Sequence, residues 1–237
     1  MLPVRNMTGS DLKTARERKG WTQEQTAFRL GISQPYLSLL EKNFRRVPDK
    51  LARKAVTALR LSAVTLPVQT DWNAVKTKTE GVLAADLAAL GYPGFSHVKV
   101  GRRRNPAEVL LSALSARNLN SRVTEALPWV LLEYSDLDWE SLIKEAKGRD
   151  LQNRLGFLIS VARKVAENHG DSEKAELLRS KETMLERSRL LLEDTLCNDS
   201  LTRAEREWLK TSRSQDAKFW NILTDLAPEH LSYGSTS

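Results

Sequence analysis

Cysteine and histidine are scarce in this chain: its 237 residues include one cysteine, Cys197, and three histidines. A single cysteine cannot form an internal disulfide, and it cannot supply the thiolate set of a structural zinc site. Three histidines also provide few ligands for a metal enzyme. We therefore predict that the protein requires no metal ion and no other cofactor.

Long apolar runs and targeting signals are also missing. No run approaches the ~18 apolar residues of a transmembrane helix, and the start, MLPVRNMTGS, lacks the charged-then-apolar order of a signal peptide. With only 11 Gly and 8 Pro, a collagen-like or low-complexity chain is excluded. Apolar residues make up 41% of the chain, which is sufficient for a packed core. We expect a soluble cytoplasmic protein without a membrane partner.

The short motifs of common enzymes are absent as well. The sequence contains no GxxxxGK(S/T), GxGxxG, HExxH, GxSxG or CxxC. Four acidic residues lie close together in LLEYSDLDWESL: Glu133, Asp136, Asp138 and Glu140. Such a cluster can bind a divalent cation, but it is more often the acidic, capped start of a helix. We predict that the protein is not an enzyme.

Basic residues are concentrated in the first quarter of the chain. Residues 1–60 contain 13 Lys and Arg against five Asp and Glu, a net charge of +8. The other 177 residues contain 24 basic and 25 acidic side chains, a net charge of −1. This distribution is typical of a basic segment that binds a polyanion, with a solvated basic surface as the alternative.

The same basic quarter has the pattern of four short helices, predicted over residues 8–19, 22–30, 33–42 and 48–59. Thr22 and Ser33 stand where N-cap residues precede the second and third helices. Gly31 separates these two helices and permits the left-handed conformation of a tight turn. Pro35 lies in the first turn of the third helix, where its missing N–H costs nothing.

The segment TQEQTAFRLGISQPYLSLLEKN, residues 22–43, resembles the phage-repressor/Cro (XRE) family of helix-turn-helix domains. It has the small Ala27 where the two helices cross, the turn glycine, hydrophobic positions at Ile32 and Leu37, and the late glutamate Glu41. Asn43 stands where the family usually has glycine, and asparagine also tolerates the left-handed conformation. The resemblance extends from about Thr8 to Leu59 and implies a lambda-repressor-like domain of four to five helices.

The resemblance also implies a DNA contact surface on the third helix. Gln34 takes the leading base-contacting position, where its amide can pair with adenine N6 and N7. Gln23 would bind a phosphate, and the basic residues after the helix would bind flanking phosphates. Leu39 is equally compatible with the core, and we predict that Glu41 is the structural partner of a basic side chain. The residues assigned to DNA are Gln23, Ser33, Gln34, Pro35, Tyr36, Ser38, Leu39, Lys42, Arg45 and Arg46.

The remaining chain is predicted to be a linker, residues 67–81, and a larger all-helical domain, residues 82–237. Helices over 151–168 and from Asp171-Ser172 through Cys197 form a predicted antiparallel hairpin, with apolar pairs every seven residues up to Leu191/Leu192. Pro128 is expected to end one helix or begin the next. Cys197 is expected in the core, as are four tryptophans: Trp129, Trp139, Trp208 and Trp220.

A second basic segment, Arg102-Arg103-Arg104, is predicted as a loop outside the DNA-binding domain. It is either an additional phosphate contact or a solvated loop. The fold class that follows for the whole chain is all-α.

These features favour a transcriptional regulator, most simply a repressor, that binds double-stranded DNA as a homodimer. The helical domain would dimerise or would bind a small-molecule effector or another protein. The alternative is an antitoxin that represses its own operon and covers a toxin with its second domain. A third hypothesis, an enzyme or RNA-processing factor attached through its basic segment, has no supporting cluster of catalytic residues. We expect a bacterial cytoplasmic protein that is bound to the nucleoid when on DNA.

Overall fold

The computed structural model describes residues 7–68, 79–231 and 233, and almost all of its regular structure is helical. The all-α fold class is therefore confirmed. The chain divides into two compact units. Unit 1 is Met1–Thr70 with Arg103–Asn105, and unit 2 is Asp71–Arg102 with Pro106–Ser237.

The domain boundaries expected from the sequence, at residues 66 and 82, stay a prediction. Most of the predicted linker, residues 69–78, lies outside the described residues. Within the described parts of the chain, no helix has both the length and the apolar composition needed to cross a bilayer.

Unit 1 follows the predicted pattern of four helices. Thr8 and Thr22 each begin a helix as the first member of a capping box, and Ser33 caps the third helix. The buried side chains of all four helices meet in one core, which includes Leu12 and Leu30. The elements are α1 (Gly9–Arg18), α2 (Gln23–Leu30), α3 (Gln34–Glu41), α4 (Asp49–Leu59) and a 3₁₀ turn (Ala63–Thr65).

Unit 2 is larger and contains mostly short helices. Its elements are α5 (Glu80–Leu90), a 3₁₀ turn (Pro93–Phe95), α6 (Pro106–Leu114), α7 (Ser121–Glu133), α8 (Trp139–Lys147), α9 (Gln152–Asn168), α10 (Ser172–Glu186), β1 (Asp194–Thr195), α11 (Arg203–Ser212), α12 (Gln215–Phe219), β2 (Ile222–Leu223) and a 3₁₀ turn (Pro228–His230). The two strands pair in parallel over two residues, Asp194 with Ile222 and Thr195 with Leu223. The sequence carries no convincing signal for this short ladder.

Helix α9 is the centre of unit 2, because every residue from Gln152 to Ala162 is buried. It packs against α7, α8, α10 and α12. Gly156 permits the close approach of Trp220: a Cβ added there would lie 2.5 Å from the indole ring. The indole Nε1 donates a hydrogen bond to Ser160 Oγ (2.8 Å), and Ser160 Oγ donates in turn to Glu182 Oε1 (2.5 Å).

The predicted hairpin forms, but the prediction that its second helix continues to Cys197 is wrong. Helix α10 ends at Glu186, and Leu191 and Leu192 lie in the following loop, 89% and 78% exposed. The side chain of Asn153 binds both the N–H and the carbonyl of Leu190, each at 2.9 Å. These hydrogen bonds hold the main chain in a non-helical conformation. The helix therefore ends although the seven-residue spacing of apolar pairs continues to Leu191 and Leu192.

Two other predictions for unit 2 are also wrong in part. Pro128 lies inside α7, whose helical path continues to Glu133 despite the missing N–H. Trp208 is 57% exposed on α11 and is not a core residue, and Trp129 is only half-buried, whereas Trp139 and Trp220 are buried. Cys197 is fully buried as predicted, and burial raises the pKa of its thiol to about 11.

Candidate nucleic-acid interface

The turn between α2 and α3 sets the position of the candidate DNA-contacting helix. Gly31 ends α2 in the left-handed conformation (φ 69°), where a residue with a Cβ would be strained. The side chain of Lys54, on α4, donates to the carbonyl of Leu30 (3.4 Å). Ser33 Oγ then accepts from the N–H of Tyr36 (3.4 Å) and caps α3. The predicted helix, turn and helix are all present in this order.

A chain of polar side chains connects the starts of α2 and α3 with the interior of unit 1. Glu41 is buried and accepts from Arg16 at both carboxylate oxygens, at 2.7 and 3.0 Å. Gln23 Nε2 donates to Glu41 Oε2 (2.8 Å), and Gln34 Nε2 donates to Gln23 Oε1 (2.7 Å). The hydrogen bond to Glu41 raises the pKa of Arg16, so the guanidinium stays charged.

This chain of bonds orients the amide that the resemblance places at the base-contacting position. A glutamine amide nitrogen carries two N–H groups, and the bond to Gln23 uses one of them. The other N–H of Gln34 and its carbonyl oxygen form the donor and acceptor pair that adenine recognition requires. The prediction that Glu41 is a structural partner of a basic side chain is confirmed by its contact with Arg16.

The other predicted contact residues lie on the same helix or directly after it. Leu39 is 39% exposed, so it is a surface residue and not part of the core. The half-buried members of the set are Gln23, Gln34, Tyr36 and Ser38, and the exposed members are Ser33, Pro35, Leu39, Lys42, Arg45 and Arg46. Their contacts with DNA stay a prediction.

The loop after α3 is fixed by Asn43. Its φ of 59° is the left-handed conformation that the usual family glycine would adopt. Asn43 Oδ1 accepts from the N–H of Gly9 (2.9 Å), and its amide nitrogen donates to Ser10 Oγ (3.2 Å). This anchored residue lies between Lys42 and the exposed pair Arg45 and Arg46, so it fixes the start of the loop that carries the pair.

Gly9 is a structural residue of this region that sequence reasoning missed. A Cβ at Gly9 would lie 1.7 Å from the carbonyl oxygen of Leu40, so α1 and α3 approach each other more closely than any other residue type permits. No local pattern marks this glycine, because the contact joins positions 31 apart along the chain.

The basic segment around Arg103 is placed differently from the prediction. The sequence predicts Arg102-Arg103-Arg104 outside the DNA-binding domain. Arg102 belongs to unit 2 as predicted, but Arg103–Asn105 belong to unit 1. The reason is Asn105, whose buried side-chain amide donates to the carbonyls of Val64 (2.9 Å) and Leu66 (2.7 Å). Arg103 is exposed beside this attachment, and its contact with phosphate stays a prediction.

One residue of the acidic cluster Glu133, Asp136, Asp138 and Glu140 has a structural role at the start of α8. Asp138 caps the helix, accepting from the N–H (3.1 Å) and the hydroxyl (2.8 Å) of Ser141. Within the described residues, no group of His, Cys, Asp and Glu has the arrangement of a metal site.

Comparison with known proteins supports this description of unit 1. Residues 12–66 match the family described as "Helix-turn-helix". An uncharacterized HTH-type transcriptional regulator, y4dJ, from Sinorhizobium fredii (strain NBRC 101917 / NGR234) is 37% identical over 70 residues, which is 30% of this chain and 91% of that relative. The chain belongs to the XRE-type helix-turn-helix family. No solved structure matches it.

Membership in the XRE-type family supports a DNA-binding transcriptional regulator, a class that is usually non-enzymatic. The family match ends at Leu66, so it describes unit 1 and carries no information about unit 2.

Proposed function

We propose that this XRE-type protein is a sequence-specific repressor that inserts the start of α3 into the major groove of DNA. The observation that carries this proposal is the bond from Gln34 to Gln23, since it holds a base-contacting amide at the helix N-terminus. A preoriented amide loses less side-chain entropy on binding than a free one.

Phosphate contacts supply most of the affinity in this proposal. Lys42, Arg45 and Arg46 are exposed in the loop that follows α3, where they flank the groove. Gln23 binds a phosphate through its remaining N–H and so links the backbone contact to the base contact of Gln34. The net charge of +8 on residues 1–60 adds long-range attraction to DNA.

Two copies of the chain act together in this proposal. One helix-turn-helix domain covers one half-site, and dimers of such domains bind half-sites about one helical turn, ~34 Å, apart. Unit 2 provides the dimer contact. Its near-neutral composition imposes no strong repulsion between copies.

The direct test is selection of DNA by the full chain from a random duplex library. We expect the selected sequences to share an inverted repeat whose half-sites are about 10 bp apart, and to repress a reporter promoter when placed across its start. Selection of no common sequence would contradict the proposal. A common sequence without a repeat would contradict the dimer alone.

A second candidate function is favoured by one observation, the pair of exposed leucines on unit 2, Leu191 and Leu192. An exposed apolar pair suits a protein partner, so an antitoxin whose unit 2 covers a toxin remains the alternative. Co-expression with the product of a neighbouring small reading frame tests it. Formation of a stable complex in which that product is no longer toxic would favour the antitoxin.

A further inference from the structure

Unit 1 is completed by a short segment from later in the chain. Arg103–Asn105 belong to this unit, although the residues on either side, Arg102 and Pro106, belong to unit 2. We call Arg103–Asn105 the strap. The helix-turn-helix match ends at Leu66, so the strap is an addition to the matched domain and not part of it.

The strap is attached through Asn105, whose side chain is only 3% exposed. Its amide nitrogen Nδ2 donates to the carbonyl of Val64 (2.9 Å) and to that of Leu66 (2.7 Å). A primary amide nitrogen has two N–H groups, and these bonds use both. Val64 and Leu66 are themselves buried, so a carbonyl that lost its donor here would carry the cost of an unpaired buried group.

The two carbonyls belong to the part of unit 1 that supports α4. One lies in the 3₁₀ turn Ala63–Thr65 and the other directly follows it, and this turn packs against α4. Helix α4 packs in turn against α1 and α2, and its Lys54 donates to the carbonyl of Leu30 at the end of α2 (3.4 Å). The strap therefore stabilises the elements that position α3.

The residue that attaches the strap also stands at the start of a helix of unit 2. Asn105 directly precedes Pro106, the first residue of α6. Asparagine is a preferred residue before the first turn of a helix, and proline is preferred within that turn. A shift at the start of α6 is therefore transmitted to Asn105 through a single peptide bond.

We propose that the strap is a coupling device through which the conformation of unit 2 sets the DNA affinity of unit 1. This inference rests on the DNA binding in the proposed function. With both Asn105 bonds in place, the turn and α4 are held and unit 1 binds DNA at full affinity. A shift at the start of α6 breaks these bonds, and unit 1 opens more often. The apparent DNA affinity then falls with the fraction of binding-competent copies.

The variant Asn105→Asp in the full chain isolates the two hydrogen bonds. Aspartate precedes a helix as favourably as asparagine does, but an ionised carboxylate donates no hydrogen bond. We expect residues 63–66 to exchange their amide hydrogens about tenfold faster, measured by mass spectrometry. The affinity for the selected duplex should fall about tenfold.

Two further variants make this measurement specific. Asn105→Ser, whose hydroxyl donates one bond and also suits a helix start, should lie between wild type and Asn105→Asp in both readouts. It also keeps the test valid where Asn105→Asp unfolds unit 1. Asn168→Asp, at the exposed last residue of α9, is the matched control for the added charge and should match wild type.

Coupling is reciprocal, which gives a readout that a merely structural role of Asn105 would not change. In the wild-type chain, the selected duplex should slow hydrogen exchange in the first turn of α6, residues 107–110. This protection by DNA should disappear in Asn105→Asp.

The outcomes separate this inference from the proposed function. Exchange at residues 63–66 that is the same in wild type, Asn105→Asp and Asn105→Ser overturns the strap, whether or not the chain binds DNA. Faster exchange with unchanged affinity, or with α6 unaffected by DNA in wild type, overturns the coupling and leaves the proposed function standing. A wild-type chain that selects no DNA overturns both. Faster exchange, weaker binding and lost protection of α6 together support both.

Discussion

Gly156 illustrates how one small residue can decide the packing of unit 2. The six-membered ring of Trp220 occupies the space where any other residue would place its Cβ, at 2.5 Å. Neither residue can shift easily, because Gly156 lies in the part of α9 where every residue is buried and Trp220 Nε1 is hydrogen-bonded to Ser160.

We expect Gly156→Ala to destabilise unit 2 by about 1–3 kcal/mol, the range for overpacked cores. Urea unfolding followed by tryptophan fluorescence measures the change. Gly81→Ala is the control, because Gly81 is also helical and nothing lies within 4 Å of its added Cβ. The control should be neutral or slightly stabilising. Equal midpoints for the two variants would contradict the packing argument.

Cys197 should be unreactive in the folded chain. Burial raises the pKa of its thiol to about 11, so almost no thiolate exists near neutral pH. We expect a thiol reagent such as DTNB to label native protein far more slowly than protein unfolded in guanidinium. Rapid labelling of the native chain at neutral pH would show that this part of unit 2 opens readily.

For single residues, the sequence predicts interactions between near neighbours along the chain better than interactions between positions far apart in it. The caps Thr8, Thr22 and Ser33 follow from a hydroxyl residue placed before a helical period, which is a signal within one turn. The bond between Arg16 and Glu41 joins positions 25 apart, and that from Gln34 to Gln23 joins positions 11 apart. Only the folded chain brings those side chains together.

Helix α10 shows where the spacing of apolar residues no longer predicts the extent of a helix. The apolar pairs at 177/178 and 184/185 each place one leucine in the core, Leu178 and Leu185, and the pair at 191/192 continues the same spacing. The helix nevertheless ends at Glu186, because polar side chains of α9 bind the main chain that follows. Helical spacing describes what a segment could form, and tertiary hydrogen bonds decide what it does form.

The loop after α3 is the element that should determine salt dependence. We expect Arg45→Ala or Arg46→Ala in the full chain to weaken binding to all DNA sequences alike. Each change should make the slope of log K against log salt shallower by about one for each phosphate that the variant no longer binds. Fluorescence anisotropy on the selected duplex over a range of salt concentrations gives these slopes.

Arg122→Ala serves as the control, since Arg122 is an exposed arginine of unit 2. It should leave both affinity and slope unchanged. An equally shallow slope in the control would mean that DNA binding is not confined to unit 1.

For the molecule as a whole, charge distribution and the helix-turn-helix pattern are sufficient to predict what unit 1 is. They do so because a DNA-binding surface has a composition and a local spacing that a sequence displays directly. The sequence of unit 2 shows only the periodicity of helices. Its tertiary packing depends on contacts such as that of Trp220 with Gly156, which are 64 positions apart. No motif indicates the role of unit 2, and its part in dimerisation or partner binding stays a prediction.

The effect of Gln34→Ala on base preference tests most directly whether α3 contacts bases in the major groove. Affinities of the full chain are measured for the selected duplex and for a set of duplexes in which each base pair is changed in turn. We expect a loss of about 1–3 kcal/mol on the selected duplex, with the preference removed at one base pair in each half-site and kept at the others. Gln215→Ala, an exposed glutamine at the start of α12, should change nothing. A uniform loss on every duplex would contradict a base contact by Gln34, because the side chain would then only position the domain on the phosphate backbone.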